Sequence, residues 1–590
     1  MAMYGNVKAA VLYLFKRIIT MRLQASISKN ATSYYVTKSI RHHGKYTSKV
    51  VEKLGTLDNL KKRAGNQDPL VWAKNYVREL TELDKLHKTE IIIKYSNRKI
   101  IAKDKERLFN GGYLFLQSIY YDLKLHNICK TITDKYKFEY DLNSILSRLI
   151  FSRIIYPASK LSTFELSKSF IEKPDFALHD VYRSLDVIAK EADYIQAELY
   201  NNSLKLVKRR TGVLYYDCTN YFFEIEQPEG IKQYGYSKEH RPNPIVQMGL
   251  FMDGDGLPLA FDINPGNTNE QSTLKPLEKK ILKDFKLAKF VVCTDAGLSS
   301  LDNRRFNNFN NRAFITTQSI KKLKSHLKDW ALASEGWKLS GSNESYNLDS
   351  IDEELHRESI FYKERWINEN NFEQRLIVTY SIKYREYLKS IRSNHIQRAV
   401  KAIVNNPSRL NKSNQNDFKR LINQTHLTDN GEVADNTILS IDSQAIESEA
   451  LFDGFYAVCT NLEDKPIKII EVNKQRWEIE ECFRILKSEF KTRPVYLAND
   501  ERIYAHFVTC FIALMIFRLL EKRLNSSFSY HQIIDELRTM SFLEERGEGY
   551  LPAYTRTDFT DTLHELYGFR TDYEILTKQD LRKIINLTKK

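Results

Sequence analysis

Apolar and polar positions follow three successive patterns along the chain. Residues 33–55 alternate, so Ser33–Ile40 and Tyr46–Leu54 read as paired strands around a turn at Arg41–Lys45 that contains Gly44. Residues 70–90 and roughly 112–210 repeat their apolar positions at helical spacing with few glycines, predicting a helical domain that ends before Gly212. Short apolar runs then take over. Val213–Cys218 reads as a strand, and Pro244–Asp253 and Leu257–Ile263 as two more, joined at Gly254-Asp255-Gly256. Gln271–Phe285 reads as a helix, Lys289–Thr294 as a fourth and fully apolar strand, 299–310 as a polar helix and Ala313–Thr317 as a fifth strand.

Three hairpin-linked strands, a helix and a buried strand are the order of an RNase H-like fold. The expected class is therefore α/β, with an RNase H-like catalytic core built from a mixed sheet and helices. From about 320 to 450 the pattern degrades into strand-like stretches (Arg375–Ile382), a basic helix (Lys383–Val404) and Asn- and Ser-rich loops, which reads as an insertion domain. Strand texture returns at Gly454–Cys459, before a long helix from about Ile469 to Phe490 and another over Glu501–Leu524. The expected division begins with a basic N-terminal DNA-binding region of β-hairpin and helix (1–105) and a helical domain (106–210). The RNase H-like core follows in two segments, 211–320 and 453–525, separated by the insertion (321–452), and a helical C-terminal region (526–590) closes the chain.

Charge sharpens this outline. The 590 residues carry 90 Lys and Arg against 75 Asp and Glu, a net +15, and 42% of them are hydrophobic. That apolar share builds real cores and excludes a disordered or fibrous chain. Residues 1–50 contain no acid, yet hold Lys8, Lys16, Arg17, Arg22, Lys29, Lys38, Arg41, Lys45 and Lys49. Such an arm suits a polyanion, nucleic acid ahead of a membrane surface. The apolar run Ala9–Phe15 meets Lys16 and Arg17 instead of a small-residue cleavage site, so no signal peptide is expected. Phe507–Phe517 is shorter than the ~20 residues a membrane span needs and reads as a buried core helix. Cys129, Cys218, Cys293, Cys459, Cys482 and Cys510 form no CxxC pair, so reduced thiols are expected, not a disulfide framework or a zinc site. The expected setting is the cytoplasm, associated with the nucleoid, with no membrane partner.

Three carboxylates carry the candidate chemistry. Asp217 is expected at the C-terminal end of the first strand and Asp295 at the end of the fourth, neighbours in an RNase H-like sheet. A buried, unpaired carboxylate is costly, and a bound cation relieves that cost. Each aspartate alone also reads as the ordinary polar end of a strand. The 469–490 helix adds the third acid. With Arg476 at zero on a wheel of about 100° per residue, Lys487 falls near 20°, Glu480 near 40°, Lys491 and Asn473 near 60° and Arg484 near 80°. Ile479, Cys482, Phe483, Leu486 and Phe490 occupy the opposite sector, about 240° to 340°. One face is core, and the other is a cationic stripe around Glu480; Glu478 and Glu481 lie off that stripe. A solvated face with i,i+4 ion pairs such as Glu480–Arg484 is the alternative reading. Two aspartates and a glutamate can hold two Mg²⁺ ions about 4 Å apart around a scissile phosphodiester. Arg476 and Lys487 would hold the phosphates of the strand being cut, and Lys238 and Arg241, in a polar loop, are further candidates for DNA contact.

Tyr216-Asp217-Cys218-Thr219, Thr294-Asp295-Ala296-Gly297 and Arg476-x3-Glu480-x6-Lys487 together resemble the bacterial insertion-sequence DDE transposases marked by a Y-x2-R-x3-E-x6-K signature. Gly235–Pro242, Gly256–Leu259, Pro265–Thr268 and Glu270 add to that resemblance, which covers most of 30–570. One position departs, for Asn473 stands where the signature has tyrosine. The resemblance implies catalysis and metal binding by Asp217, Asp295 and Glu480, with Mg²⁺ (Mn²⁺ as substitute), and a β-rich insertion before the glutamate. DNA contact is expected along the cationic stripe of Arg476, Arg484, Lys487 and Lys491. It further implies that the enzyme cuts its element's terminal inverted repeats and joins the 3′-ends to target DNA, acting on double-stranded DNA as a homodimer in a synaptic complex. Other readings are a domesticated or non-transposing endonuclease with the same site and a DNA-binding protein without catalysis. A glycosidase with paired carboxylates leaves the cationic stripe and basic N-terminus unexplained.

Overall fold

The computed structural model describes residues 21–28, 31–42, 45–88, 93, 95–287, 289–309, 311–342, 344–405, 417–427, 436–545 and 548–590. The run Ala9–Phe15, the residues Lys8, Lys16, Arg17 and Lys29 and the turn glycine Gly44 lie outside the described residues. The chain divides into two compact units, Met1–Lys105 and Glu106–Lys590.

In the first unit, β1 (Met21–Ile27), β2 (Thr32–His42) and β3 (Lys45–Thr56) form an antiparallel sheet in that order, followed by α1 (Leu57–Ala64) and α2 (Pro69–Lys88). Val36 and Leu54 from the sheet meet Leu60, Ala73 and Val77 from the helices in a small core. The alternation of 33–55 already describes β2 and β3. β1 is an added strand, paired from Met21↔Lys38 to Ile27↔Thr32. Gly55 has φ +94°, and a side chain there would meet Asn59, so glycine is required where β3 leaves the sheet.

The second unit begins with β4 (Leu108–Asn110) and six helices: α3 (Tyr113–Asp122), α4 (Leu125–Tyr136), α5 (Leu142–Ile155), α6 (Lys160–Ser167), α7 (Leu178–Lys190) and α8 (Ala192–Leu206). Next come β5 (Val213–Phe222), β6 (Ile245–Asp253), β7 (Pro258–Pro265), α9 (Glu270–Asp284), β8 (Phe290–Thr294), α10 (Leu301–Phe306) and β9 (Arg312–Thr317). They are followed by α11 (Ser325–Leu332), β10 (Trp337–Leu339), β11 (Ser345–Tyr346), β12 (Phe361–Glu369), β13 (Phe372–Tyr380) and α12 (Ile382–Asn405). The hairpin β14 (Ile422–Leu427) and β15 (Asn436–Ile441) and helix α13 (Ser443–Ala450) precede β16 (Phe455–Thr460), α14 (Pro466–Lys474), α15 (Trp477–Arg484) and α16 (Asp500–Arg523). The chain closes with α17 (Tyr530–Thr539), β17 (Ser541–Glu545), β18 (Gly549–Pro552), α18 (Asp558–Tyr567), β19 (Leu576–Thr577) and α19 (Lys578–Thr588).

One ten-stranded mixed sheet organises this unit, in the order β11-β10-β12-β13-β16-β9-β8-β5-β6-β7. Its β7-β6-β5-β8-β9 half has antiparallel β5–β6–β7 and parallel β5–β8–β9, the predicted core order. All nine positions of β6 are buried, as expected of a central strand covered on both faces. On one face Tyr216, Cys218 and Phe251 pack against Leu274, Leu277 and Ile281 of α9. On the other, Tyr215, Tyr221 and Met248 join the large core built with α15 and α16.

The 321–452 insertion is not separate from the core sheet: β10, β11, β12 and β13 continue it, with β16 bridging β13 to β9. Left open, the β9 edge would expose a row of unpaired backbone groups, and β16 and β13 cover it. Among the described residues of the insertion, only β14 and β15 pair apart from that sheet, beside a small core of Ala399 and Ile422. The C-terminal region is not purely helical either, because β17, β18 and β19 pair with β4 in a four-stranded sheet.

α16 is long and apolar enough to cross a membrane by length and composition, yet 94% of its most apolar stretch is buried inside the protein. It packs against α3, α5, α7 and β7, the place of a core helix. The six cysteines are free and buried.

Candidate functional site

β5 runs on to Phe222 because Asn220 and Phe222 keep pairing with β6, so Asp217 lies mid-strand and not at the predicted strand end. The strand end at this place belongs to β8. Parallel pairing sets Tyr215 opposite Cys293. Carried two residues further, the same register sets Asp217 across from Asp295, just where β8 has stopped. Alternation puts Tyr215, Asp217 and Tyr221 on one face of β5. The Tyr215 hydroxyl donates to the Val472 carbonyl of α14 at 2.8 Å, and the Tyr221 ring packs on Phe507 of α16, centroids 4.9 Å apart. Asp217 therefore shares the face covered by the helices that bring in Glu480.

Those helices are not the single rod predicted over 469–490. α14 ends at Lys474, the chain turns through Gln475 and Arg476, and α15 passes into a π-helical turn at Ile485–Glu489. Lys491 then takes a left-handed φ of 41°. Wheel angles hold within α15 and fail beyond it, because the π turn changes the residues per turn. Glu480 Oε1 lies 3.2 Å from Arg476. Glu478 and Glu481 turn instead to the buried Arg518, at 3.0 and 3.6 Å, where Glu521 completes the group at 2.6 Å. Of these three acids, Glu480 is the one paired with Arg476.

Electrostatics tie the set together. Burial pushes the Asp217 carboxyl up to about 6; Lys238 and Arg476 oppose that rise, and Asp295 adds to it. Burial works against the Arg476 charge, yet Glu480, Tyr456, Asp217 and Asp295 together hold its pKa above the usual value. Burial lowers the Lys487 ammonium to about 8, with Lys238 adding to the effect and Asp217 resisting it. Arg476 is thus within electrostatic reach of all three acids, and Lys238 and Lys487 within reach of Asp217.

The other named cations have partners within the protein or lie exposed. Lys238 is not a solvated loop residue: its Nζ donates to the Cys218 carbonyl at 2.5 Å and pairs with Glu270 at 3.3 Å. Arg241 covers the Phe222 ring at 4.2 Å and lies 3.8 Å from Glu239. Glu239 also receives Lys487 at 3.5 Å and pairs with Arg493. Arg484 and Lys491 are exposed and, among the described residues, form no ion pair with the three acids. Sequence reasoning missed Tyr456 and Glu239. Asn473, at the position of the signature tyrosine, is buried and donates from Nδ2 to the Tyr456 hydroxyl at 2.8 Å. A tyrosine hydroxyl therefore reaches this spot from β16, and spacing along one helix could not have revealed it. A cavity of about 520 Å³ opens beside Arg476 and Glu480, walled in part by Tyr384, Tyr387, Tyr456 and Trp477.

The donor set suits a hard divalent cation. Asp217 Oδ1 accepts the Cys218 N–H at 2.8 Å and Asp295 Oδ1 the Leu298 N–H at 3.0 Å. Among the described residues the second oxygen of each aspartate accepts no hydrogen bond, and the raised Asp217 carboxyl is the cost that a cation would relieve. The three acids do not close into one tight ligand cluster. Among the described residues only Asp561, His564 and Asp572 bring three ligand atoms within 4.8 Å of one another. That cluster already has its cations: Arg570 pairs with both Asp561 and Asp572 at 2.6 Å, and Arg556 meets Asp561 at 2.8 Å.

A family model described as "Transposase DDE domain" matches residues 221–516, a span that holds Asp295 and Glu480 and begins just after Asp217. Among solved structures the chain is similar to a piggyBac transposase synaptic complex with hairpin DNA, at 8% identity over 81% of this chain and 84% of that one, with a TM-score of 0.35. It is also similar to a Mos1 transposase paired-end complex with left transposon end, at 11% identity over 42% and 68%, with a TM-score of 0.13. No curated protein matches the chain.

Proposed function

This chain belongs to the transposase DDE domain family, and on that premise we propose that it is the transposase of a bacterial insertion sequence, cutting and joining DNA with Asp217, Asp295 and Glu480. The observation that supports this reading is the β5–β8 pairing, which, carried two residues past Tyr215↔Cys293, brings Asp217 across from Asp295, with Arg476 within electrostatic reach of the three acids. Mg²⁺ is the proposed metal, with Mn²⁺ as a substitute; two bound ions would activate the attacking oxygen and stabilise the leaving 3′-oxygen. The protein's own contribution is charge and position. Arg476 gives up its ion pair with Glu480 as a phosphate arrives, freeing that carboxylate. Lys238 and Lys487, both within electrostatic reach of Asp217, hold the non-bridging oxygens and fix the strand against the acids. The aromatic-walled cavity beside Glu480 suits stacking of an unpaired base.

The basic three-stranded unit, with Arg22, Lys38 and Lys49 on its strands, is proposed to grip the inverted repeats. A homodimer pairing two element ends, acting in the cytoplasm on nucleoid DNA, completes the reading. The test is incubation with Mg²⁺, donor DNA carrying the element's ends and a target plasmid. The expected product is a free 3′-end joined to target. Cleavage with no joined product would make the protein a non-transposing endonuclease, and binding with no cleavage a DNA-binding protein.

A further inference from the structure

A second cavity, of about 570 Å³, lies between the helical domain and the segment that follows α15. Arg153, Lys160, Lys491, Arg493 and His506 line it, and its lining contains no Asp or Glu. Two of these cations are deeply buried: Arg153 is 4% exposed and Lys160 5%. Arg153 spends its terminal nitrogens on backbone carbonyls, those of Phe490, Lys491 and Ala158, while its Nε is buried with no partner. Lys160 opens α6, whose N-cap Ser159 also lines the cavity, and it forms no ion pair or hydrogen bond among the described residues. Burial, with Arg153 adding to it, pushes the Lys160 ammonium down to about 7. Burial and these two cations likewise push the pKa of His506, which lies 3.1 Å from the Thr492 carbonyl, well below its usual value.

Buried cations are ordinarily paired, because an uncompensated charge away from water is expensive. Here several converge on one space with no acid, at the start of α6, whose dipole favours a negative ligand and where Ser159 Oγ caps the Ser162 N–H. We propose that this cavity is a built phosphate seat, and that it takes a backbone phosphate of the DNA strand held at the catalytic carboxylates. The location favours DNA over free phosphate: Arg493 on the cavity wall pairs with Glu239, which also receives Lys487, the neighbour of Asp217. Lys491, expected on the catalytic stripe, lines this cavity. The choice of DNA as source rests on the function proposed above; the anion seat itself does not.

The test uses the intact wild-type chain and reads amine acetylation of Lys160 by peptide mass spectrometry. Three samples are compared: no addition, millimolar inorganic phosphate, and a short non-specific duplex at about ten times its dissociation constant. Duplex at that occupancy is expected to slow Lys160 acetylation about tenfold while leaving the exposed Lys205 unchanged. Protection by inorganic phosphate but not by bound duplex would overturn the assignment to DNA. Protection by neither, with duplex binding verified by anisotropy, would overturn the seat itself. Absence of any duplex binding would instead defeat the proposed function. In parallel, Lys160→Gln should remove about one counterion from the salt dependence of duplex binding, and Lys160→Arg should restore it; an unchanged slope in a folded Gln variant contradicts the proposal.

Discussion

Asp217→Asn, Asp295→Asn and Glu480→Gln are each expected to lower DNA cleavage by at least about 10³-fold while duplex binding stays within a few-fold of wild type. Asp217→Asn carries a second expectation that separates a functional carboxylate from a structural one. The folded state raises the Asp217 pKa to about 6, burial being the main cause. A raised acid binds its proton more tightly folded than unfolded, so its contribution is fully present below about pH 4 and lost as pH climbs through 6. At pH 7.5, without metal, the neutral asparagine should therefore make the protein more stable, by about 1–2 kcal/mol, and flatten stability between pH 4 and 7. Urea unfolding at pH 5 and 7.5 measures it. Loss of stability with loss of activity would mean that Asp217 holds the fold and not the reaction.

Asp253→Ala should be the most damaging single change to the fold, costing about 3–5 kcal/mol. Asp253 ends β6, and its carboxylate meets Arg209 Nε at 2.5 Å with both side chains fully buried. Its other oxygen accepts the N–H groups of Asp255 and Leu257, closing the turn into β7. Arg209 is also bound to Ser203 Oγ and the Leu257 and Pro258 carbonyls, so it cannot leave when its partner goes. The variant would keep a buried, uncompensated guanidinium at the base of the strand beside β5. A fall in the urea midpoint at unchanged slope is the expected signature. A cost below about 1 kcal/mol would show that water or a neighbouring group replaces the carboxylate.

The core strands were legible because each is a short apolar run bounded by glycine or polar turns, and their order followed from hairpin spacing. β6 and β8 are nearly continuous apolar stretches, which is what a strand covered on both faces looks like. β1 was hidden: most of Met21–Ile27 is exposed, so little apolar alternation marks it. β10, β11 and β19 are two or three residues long, too short for any periodicity, and they exist because neighbouring strands offer open edges. Glu480 could be chosen from three helical acids because its angle differed from those of Glu478 and Glu481, and the structure ties those two to Arg518. Glu239 and Tyr456 could not be read as members of the site, and Lys238 could be read only as a loop candidate for DNA contact. Each comes from a loop or strand far from Glu480 in sequence, and only tertiary packing sets them beside it. Nor could periodicity foresee the break at Gln475–Arg476 or the π turn after Arg484, since both keep the apolar spacing that a straight helix would show.

Localised hydroxyl-radical cleavage tests the catalytic centre most directly, because it needs neither the element's ends nor an active copy. Fe²⁺ replaces the divalent metal, ascorbate and peroxide generate radicals at the ion, and the backbone is cut within a few residues of its ligands. The cuts should fall around Asp217, Asp295 and Glu480, fade as Mg²⁺ or Mn²⁺ is added, and vanish in the Asp217→Asn variant. Cuts beside Asp561, His564 and Asp572 instead, or none that Mg²⁺ suppresses, would contradict a metal-dependent centre at the β5–β8 junction.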